Sequence, residues 1–354
     1  RRMVNQNRNV FASLLVALGH GDALISGMTR TFSQTMREVR RVLDPKPGHV
    51  PFGVHLMVAK NYTVFLADTT VNERPSAQDL AHIAVETAAT GAEAGIDRAL
   101  WASFASELGL AGIGLPEAQG GAGLGMVEFA LVAEAAGAGV AALPLLGNAM
   151  VGRALAAGGS EAQQAAWLPQ LAAGEVIATA AWEAALTVAD GRLSGTVPYL
   201  PHGASADLLQ VEAAGQAWLV ELAAAGVAVT GHVTMDQTRP LATAVLEGVA
   251  AEPLADSAAG LAAARAAGWI CLAAEALGGA QAALDRTVAY SRERVQFGRA
   301  IGSFQAYKHR LADMMVEIEQ ARSAVYWAAC AVDEGSPEAV LALHTAKAFC
   351  AETF

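Results

Sequence analysis

The sequence predicts a multidomain chain, mainly α with a small β domain between helical regions, preceded by a partial α/β segment. Three observations carry this. Near residue 85 a mixed stretch with Asn, Thr, Arg and Met gives way to one dominated by alanine, which marks a domain boundary or a join between unrelated pieces. Short alternating runs separated by Gly, Asp or Pro fill 176–252, the pattern of strands and turns. Stretches with helical apolar spacing flank that block on both sides.

Residues 1–93 form the α/β segment. A helix fits 5–18, where Val10, Leu14, Leu15 and Leu18 share a face and Gly19 caps the end. A second fits 33–43, with Met36, Val39, Val42 and Leu43 on one side and Pro45 beyond its end. Phe52–Val58 and Tyr62–Ala67 read as strands joined at Lys60-Asn61. Ser76-Ala77-Gln78-Asp79 has capping-box spacing and opens a helix to about Ala89.

Residues 94–175 read as helical. Asp97 caps a helix that Gly109 ends, a glycine-rich loop spans 116–123, and helices follow from Met126 to Ala136 and from Ser160 onward. Residues 176–252 hold runs near 192–199, 207–212, 217–222, 227–234 and 243–249, the spacing of a small barrel or sandwich. Residues 253–354 return to helices, at about 256–292, at 304–333 with Met314, Met315, Ile318 and Ala321 in helical spacing, and after Pro337.

The net charge of −11 argues against nucleic acid as a partner, because phosphate binding needs a basic surface. Charged residues are only 16% and apolar ones 54%, which excludes wholesale disorder. The three cysteines, Cys271, Cys330 and Cys350, form no C-x-x-C pair and read as buried thiols in a reducing, cytoplasmic setting. No uninterrupted apolar run reaches the length of a membrane span. The eight histidines show no zinc-type spacing, so no metal site is expected, and His309 within Lys308-His309-Arg310 reads as a solvated face. The run Gly120–Gly125 follows no clear strand, so it reads as a loop that brings two helices close rather than a dinucleotide turn. The chain does not start with Met and stops within an expected helix, so it reads as a piece of something longer.

The strongest local signal is the bend between the two long C-terminal helices. It carries Tyr290, Arg294, Phe297, Gly298, Arg299, Ile301 and Gln305. Arginines beside the free N–H groups of a helix start suit a diphosphate. From the residues alone, a helix hairpin with solvated arginines stays open as the other reading.

This stretch resembles the acyl-CoA dehydrogenase signature Y-x-x-x-R-x-x-F-G-x-x-I-x-x-x-Q. The resemblance covers about 95–354 and includes Glu107-Leu108-Gly109, Gly120-Gly121-Ala122-Gly123, Trp167-Leu168-Pro169 with Ala173-Gly174-Glu175, and Asp236 to Ala242. It implies a helical–β–helical fold, FAD, and an oligomer of like or unlike subunits. It implies that Arg294 and Phe297 lie near the FAD diphosphate and adenine with Gln305 nearby, at the flavin of a neighbouring subunit. The implied reaction is α,β-desaturation of an acyl-CoA, with a glutamate as base and an electron-transfer flavoprotein taking the electrons. Two departures stand out. The family's T-E-P-x-x-G-S-D-like segment is replaced by Ala180-Ala181-Trp182-Glu183-Ala184-Ala185. The family's usual glutamate base would fall beyond Phe354, and its alternative position on the long helix is Gly268, with Glu275 one to two turns on. No catalytic base is therefore named, and a non-catalytic subunit of a heteromeric dehydrogenase is the alternative.

Residues 5–90 resemble instead the phosphotransacetylase-like domain at the C-terminus of bacterial NADP-dependent malic enzymes. The carrying residues are Asn9-Val10-Phe11-Ala12, Gly21 to Gly27, Val64 to Asn72, and Pro75-Ser76-Ala77. Asp68 and Asn72 are expected to fix a turn after a strand. The later strand and loop of that domain's acetyl-phosphate and CoA site are missing, so the segment reads as part of a domain. A fused or joined chain is expected, with an acetyl-CoA-sensing module as a further alternative.

Overall fold

The computed structural model describes Val39, Val54–Val58, Thr63–Ala67, Ile96, and residues 101–354 apart from 183, 235 and 237. The chain divides into two units, Arg1–Thr87 and Ala88–Phe354. In the first unit, β1 (Val54–Val58) pairs antiparallel with β2 (Thr63–Ala67), Val54 facing Ala67 and Val58 facing Thr63. These are the two expected strands. The expected helices at 5–18, 33–43 and 76–89 lie outside the described residues, except for Val39, which is helical.

In the second unit, a π-helical turn at Ser103–Glu107 ends before Gly109, whose φ of 66° suits glycine. The glycine-rich loop then folds back on 112–116. Gly121 N–H donates to Pro116 O at 3.0 Å and Gly123 N–H to Leu115 O at 2.9 Å. A Cβ on Gly121 would lie 2.2 Å from Leu115 O, so only glycine fits there. The close approach is thus between loop backbones rather than between two helices.

Three helices follow: α1 (Met126–Gly139), α2 (Leu145–Gly158) and α3 (Glu161–Ala172). Ser160 caps α3 in a reciprocal box with Gln163. Helical periodicity does not reveal α2. Pro144 stands at its cap, and Gly147, Gly152 and Gly158 interrupt its apolar pattern. The buried Asn148 ties α2 to the next layer: its Oδ1 accepts from Ala178 N–H at 2.8 Å.

The β region holds two four-stranded sheets. One has the order β10 (Glu252–Pro253), β7 (Gln216–Glu221), β6 (Leu208–Ala213), β3 (Ala178–Ala180), with β3 and β6 parallel. The other has the order β4 (Ala185–Ala189), β5 (Arg192–Pro201), β9 (Leu241–Ala250), β8 (Val227–Gly231). Alternating residues of both sheets, among them Leu193, Val197, Val211, Trp218 and Leu246, meet in one buried cluster, so the sandwich alternative holds. Ala178, Leu208 and Leu219 instead join the helical core, so the first sheet packs against helices on its other side.

The remaining helices are α4 (Ser257–Glu293), α5 (Gln305–Asp333) and α6 (Ala339–Thr353). Among the described residues α4 alone is long and apolar enough to cross a membrane, and half of its most apolar stretch is buried within the fold. Ile318 and Ala321 of α5 are buried, but Met314 and Met315 are exposed, with no element among the described residues covering that part of the helix. Cys271 and Cys350 are buried as expected, whereas Cys330 is exposed, on the face of α5 turned away from its buried neighbours Ala328, Ala329 and Ala331.

A long-range cap fixes α1. Asp333, at the end of α5, accepts from Met126 N–H at 2.8 Å and Val127 N–H at 3.2 Å. A carboxylate there meets both free donors and the helix dipole. Asp333→Ala is expected to cost about 1 kcal/mol in urea unfolding, and Asp333→Asn, whose amide oxygen still accepts from these N–H groups, to recover most of the loss.

Candidate functional site

The bend after α4 is built from its own backbone. Arg294 N–H donates to Tyr290 O at 2.9 Å and closes the helix. β11 (Val295–Gln296) and β12 (Arg299–Ala300) form a two-residue hairpin. Its turn residues, Phe297 and Gly298, have φ of 54° and 77°. Such a turn needs φ above zero at both central positions, where Asn-Gly is the usual solution. Phenylalanine is a costly choice there.

Phe297 is also 91% exposed, so burial does not repay that choice. Its ring meets the edge of Phe304 at 6.2 Å between centroids. Arg299 lies over Phe304 at 4.0 Å. Arg294 makes no side-chain hydrogen bond or ion pair among the described residues and is exposed. Gln305, also exposed, pairs with His309 Nε2 at 2.8 Å. The structure thus places Arg294, Phe297 and Gln305 along one short, open bend, and Lys308, His309 and Arg310 are exposed as expected.

A second constellation joins the β region to α4. Asp236 Oδ1 accepts from Thr238 N–H at 2.9 Å and from its hydroxyl at 2.7 Å. This turn presents Arg239, whose guanidinium donates to the Glu275 carboxylate on α4. Burial, the largest influence, pushes the Glu275 carboxyl above its ordinary range, and Arg239 offsets this only in part. Burial also drives the neighbouring Cys271 thiol far up, and the Glu275 charge adds to it. In the sequence, Glu275 and the Asp236–Arg239 stretch stand out separately. Their pairing across 36 residues is a tertiary fact that no spacing shows. Arg239 and Glu275 line a cavity of about 520 Å³ with Asp236, Gly137, Val140 and Leu272.

His202 sits beside this turn with Nε2 3.2 Å from Thr238 O, and its Nδ1 is buried without a partner among the described residues. Burial is the main cause that lowers its pKa from 6.5 to about 4. The unfolded chain therefore binds a proton that the folded chain refuses until about pH 4, so stability falls as pH drops from 6.5 toward 4 and is level above. The effect is worth about 3 kcal/mol. His202→Asn, which tolerates the residue's φ of 54°, is expected to flatten this dependence in urea midpoints taken across that window.

Trp182, in the segment that departs from the family pattern, lies over α4. A Cβ on Gly268 would come within 2.7 Å of Trp182 Cη2 and 3.0 Å of Met150 Sδ. A glutamate at 268 would need the space that Trp182 fills. Glu183 lies outside the described residues.

Helices, then a two-sheet β layer, then long helices joined by an arginine-bearing hairpin define an acyl-CoA dehydrogenase-type fold. The chain belongs to the acyl-CoA dehydrogenase family. The family's N-terminal domain matches residues 74–175 and its C-terminal domain matches 261–354. Residues 1–103 match the phosphate acetyl/butaryl transferase family, so the chain also carries an N-terminal phosphotransacetylase-like segment. Acyl-CoA dehydrogenase IpdE2 of Mycobacterium tuberculosis is 37% identical over 246 residues, 67% of each chain. The NADP-dependent malic enzyme of Rhizobium meliloti is 44% identical over 88 residues, 25% of this chain but only 12% of that enzyme. Among solved structures, the Tcur3481-Tcur3483 steroid ACAD G363A variant superimposes with a TM-score of 0.70 at 32% identity, covering 76% of this chain and 78% of that one. PigA with FAD and proline shares the fold, with a TM-score of 0.67 at 24% identity over 80% of this chain and 86% of that one.

Proposed function

We propose that this chain is a subunit of an FAD-dependent acyl-CoA dehydrogenase that desaturates an acyl-CoA thioester between its α and β carbons. The observation that most supports this is Phe297, an exposed aromatic at a positive φ where neither burial nor backbone preference accounts for it. A ligand that stacks on the ring accounts for it. The donor set suits FAD: Arg294 is a guanidinium without a partner among the described residues and so available for the diphosphate, Phe297 a platform for the adenine, and Gln305 an amide within reach of either. Bound FAD supplies the two-electron acceptor for the substrate hydride.

The hairpin is open on its outer side, and Met314, Met315 and Val316 of α5 are exposed as well. We read this as a surface for another subunit, so that the hairpin grips the FAD of its neighbour. Electrons would then leave through an electron-transfer flavoprotein.

A second reading follows from Trp182. Gly268 offers no carboxylate, and Glu275 is held by Arg239. These favour a chain that completes the FAD site of a partner without itself removing the α-proton. The similarity to the Tcur3481-Tcur3483 steroid ACAD, which carries two protein names, supports a heteromer.

Purified chain mixed with FAD and passed through gel filtration tests both readings. Retained flavin absorbance that bleaches on adding acyl-CoA fits the catalytic reading. Retained absorbance without bleaching fits the partner-subunit reading. Flavin that elutes free of protein overturns the reading of the chain as a dehydrogenase complete in itself.

A further inference from the structure

We propose that the groove between α3 and the sheet of β6, β7 and β10 binds a linear aliphatic diammonium, one ammonium on Glu221 and the other on Glu252. The groove, about 650 Å³, falls within the range of small-molecule pockets and shares no lining residue with the hairpin or with the cavity at Arg239. Strand register places its polar groups. Glu252 of β10 stands opposite Leu219 of β7, and Glu221, two residues along β7, stands opposite Leu208 of β6. Paired residues share a sheet face, as do residues two apart on one strand. The two carboxylates therefore lie diagonally on one face, with Cα atoms about 7–8 Å apart and Leu219 beside both. Leu208 and Leu219 are buried and form the floor, both glutamates are exposed, and the half-buried Trp167 of α3 forms part of the helix wall. The two walls are tied together: Gln163 Nε2 of α3 donates to Pro253 O of β10 at 3.0 Å.

The charge of the lining selects the ligand. It holds two acids and no base, and neither glutamate forms an ion pair among the described residues. Like charges on neighbouring strands repel, so the pair is a strain that positive charge relieves. On the same face, opposite Leu219 and two residues from Leu208, Gln210 has its Oε1 buried without a partner among the described residues. This face is thus rich in acceptors and short of donors. An alkylammonium brings three N–H donors and the missing charge together. One ammonium meets one carboxylate only, whereas a short run of methylenes between two ammoniums spans the gap. That apolar run lies along Leu219 and the Trp167 ring, whose face also attracts a cation.

The test uses the full chain and two probes, 1,4-diaminobutane and butylamine, with binding measured by calorimetry at low salt. The diamine is expected to bind about 5-fold tighter or more, the worth of a second exposed ion pair. That preference is expected to vanish in Glu221→Gln and in Glu252→Gln, both changes at exposed side chains that leave the fold intact. Glu161→Gln is the control: this exposed residue of α3 lies outside the lining, and its loss changes the net charge by the same amount. It is expected to leave the preference unchanged. Equal binding of the two amines, or no binding of the diamine, overturns the inference. A preference that survives in either groove variant overturns the two-carboxylate grip. A preference lost equally in the control overturns it too, because the attraction would then belong to the acidic chain as a whole. None of these outcomes bears on the flavin reading.

Discussion

Gly278→Ala is expected to destabilise the chain by about 3 kcal/mol, whereas Gly279→Ala, one residue on, is expected to be neutral or slightly stabilising. The difference lies in what each new methyl would meet. A Cβ on Gly278 would sit 1.9 Å from Glu134 O and 2.8 Å from Ala138 N, both backbone atoms of α1. The contact is reciprocal, since a Cβ on Gly137 would sit 2.1 Å from Glu275 O. Two helices that interlock by their glycines cannot make room by a side-chain turn; α1 must move bodily. Glu134 would move with it, and this residue pairs with Arg322 of α5 and accepts from Tyr326 at 3.5 Å. At Gly279 the nearest atom is the Phe354 ring, at 2.8 Å, which can swing aside. The alanine there then gains helix propensity of about 1 kcal/mol. Urea unfolding of the two variants, followed by far-UV circular dichroism, checks the contrast. Equal midpoints would mean that the backbone contact does not govern this packing.

Arg294→Ala is expected to weaken FAD binding by about 10–100-fold, the loss of one or two charge-assisted hydrogen bonds to a diphosphate. Arg294→Lys should recover only part of this, because an ammonium cannot present the planar fork. Phe297→Gly should also weaken FAD, yet raise the stability of the flavin-free chain or leave it unchanged, because glycine takes a positive φ without strain and the ring it removes is exposed. That opposition between affinity and stability distinguishes a ligand-contacting residue from a structural one. Flavin fluorescence titration and thermal unfolding of the flavin-free proteins read the two effects separately.

Much of this architecture is legible in local pattern. Ser160 with Gln163 announces the start of α3, and the 3–4 spacing of α4 and α5 announces two long helices. The bend is legible because its signature is contiguous. What escapes has a physical cause. The helix α2 hides behind glycines that are there for contact: a Cβ on Gly147 would lie 2.2 Å from Ala178 O. The strand β3 is three residues long and wholly buried, so it shows no alternation. Met314 and Met315 keep the spacing of a core face but are exposed, since periodicity reports a face and not its partner. The Arg239–Glu275 pair escapes because its members come from a β-region turn and a distant helix.

The most direct measurement of the central claim is the stoichiometry of FAD that comigrates with the full chain, together with the molar mass of the complex, by gel filtration with light scattering. The account predicts flavin carried by an oligomer, with both flavin and assembly reduced in Arg294→Ala and Phe297→Ala. Flavin bound equally well by the wild type and both variants would contradict it, because the hairpin would then play no part in holding the cofactor.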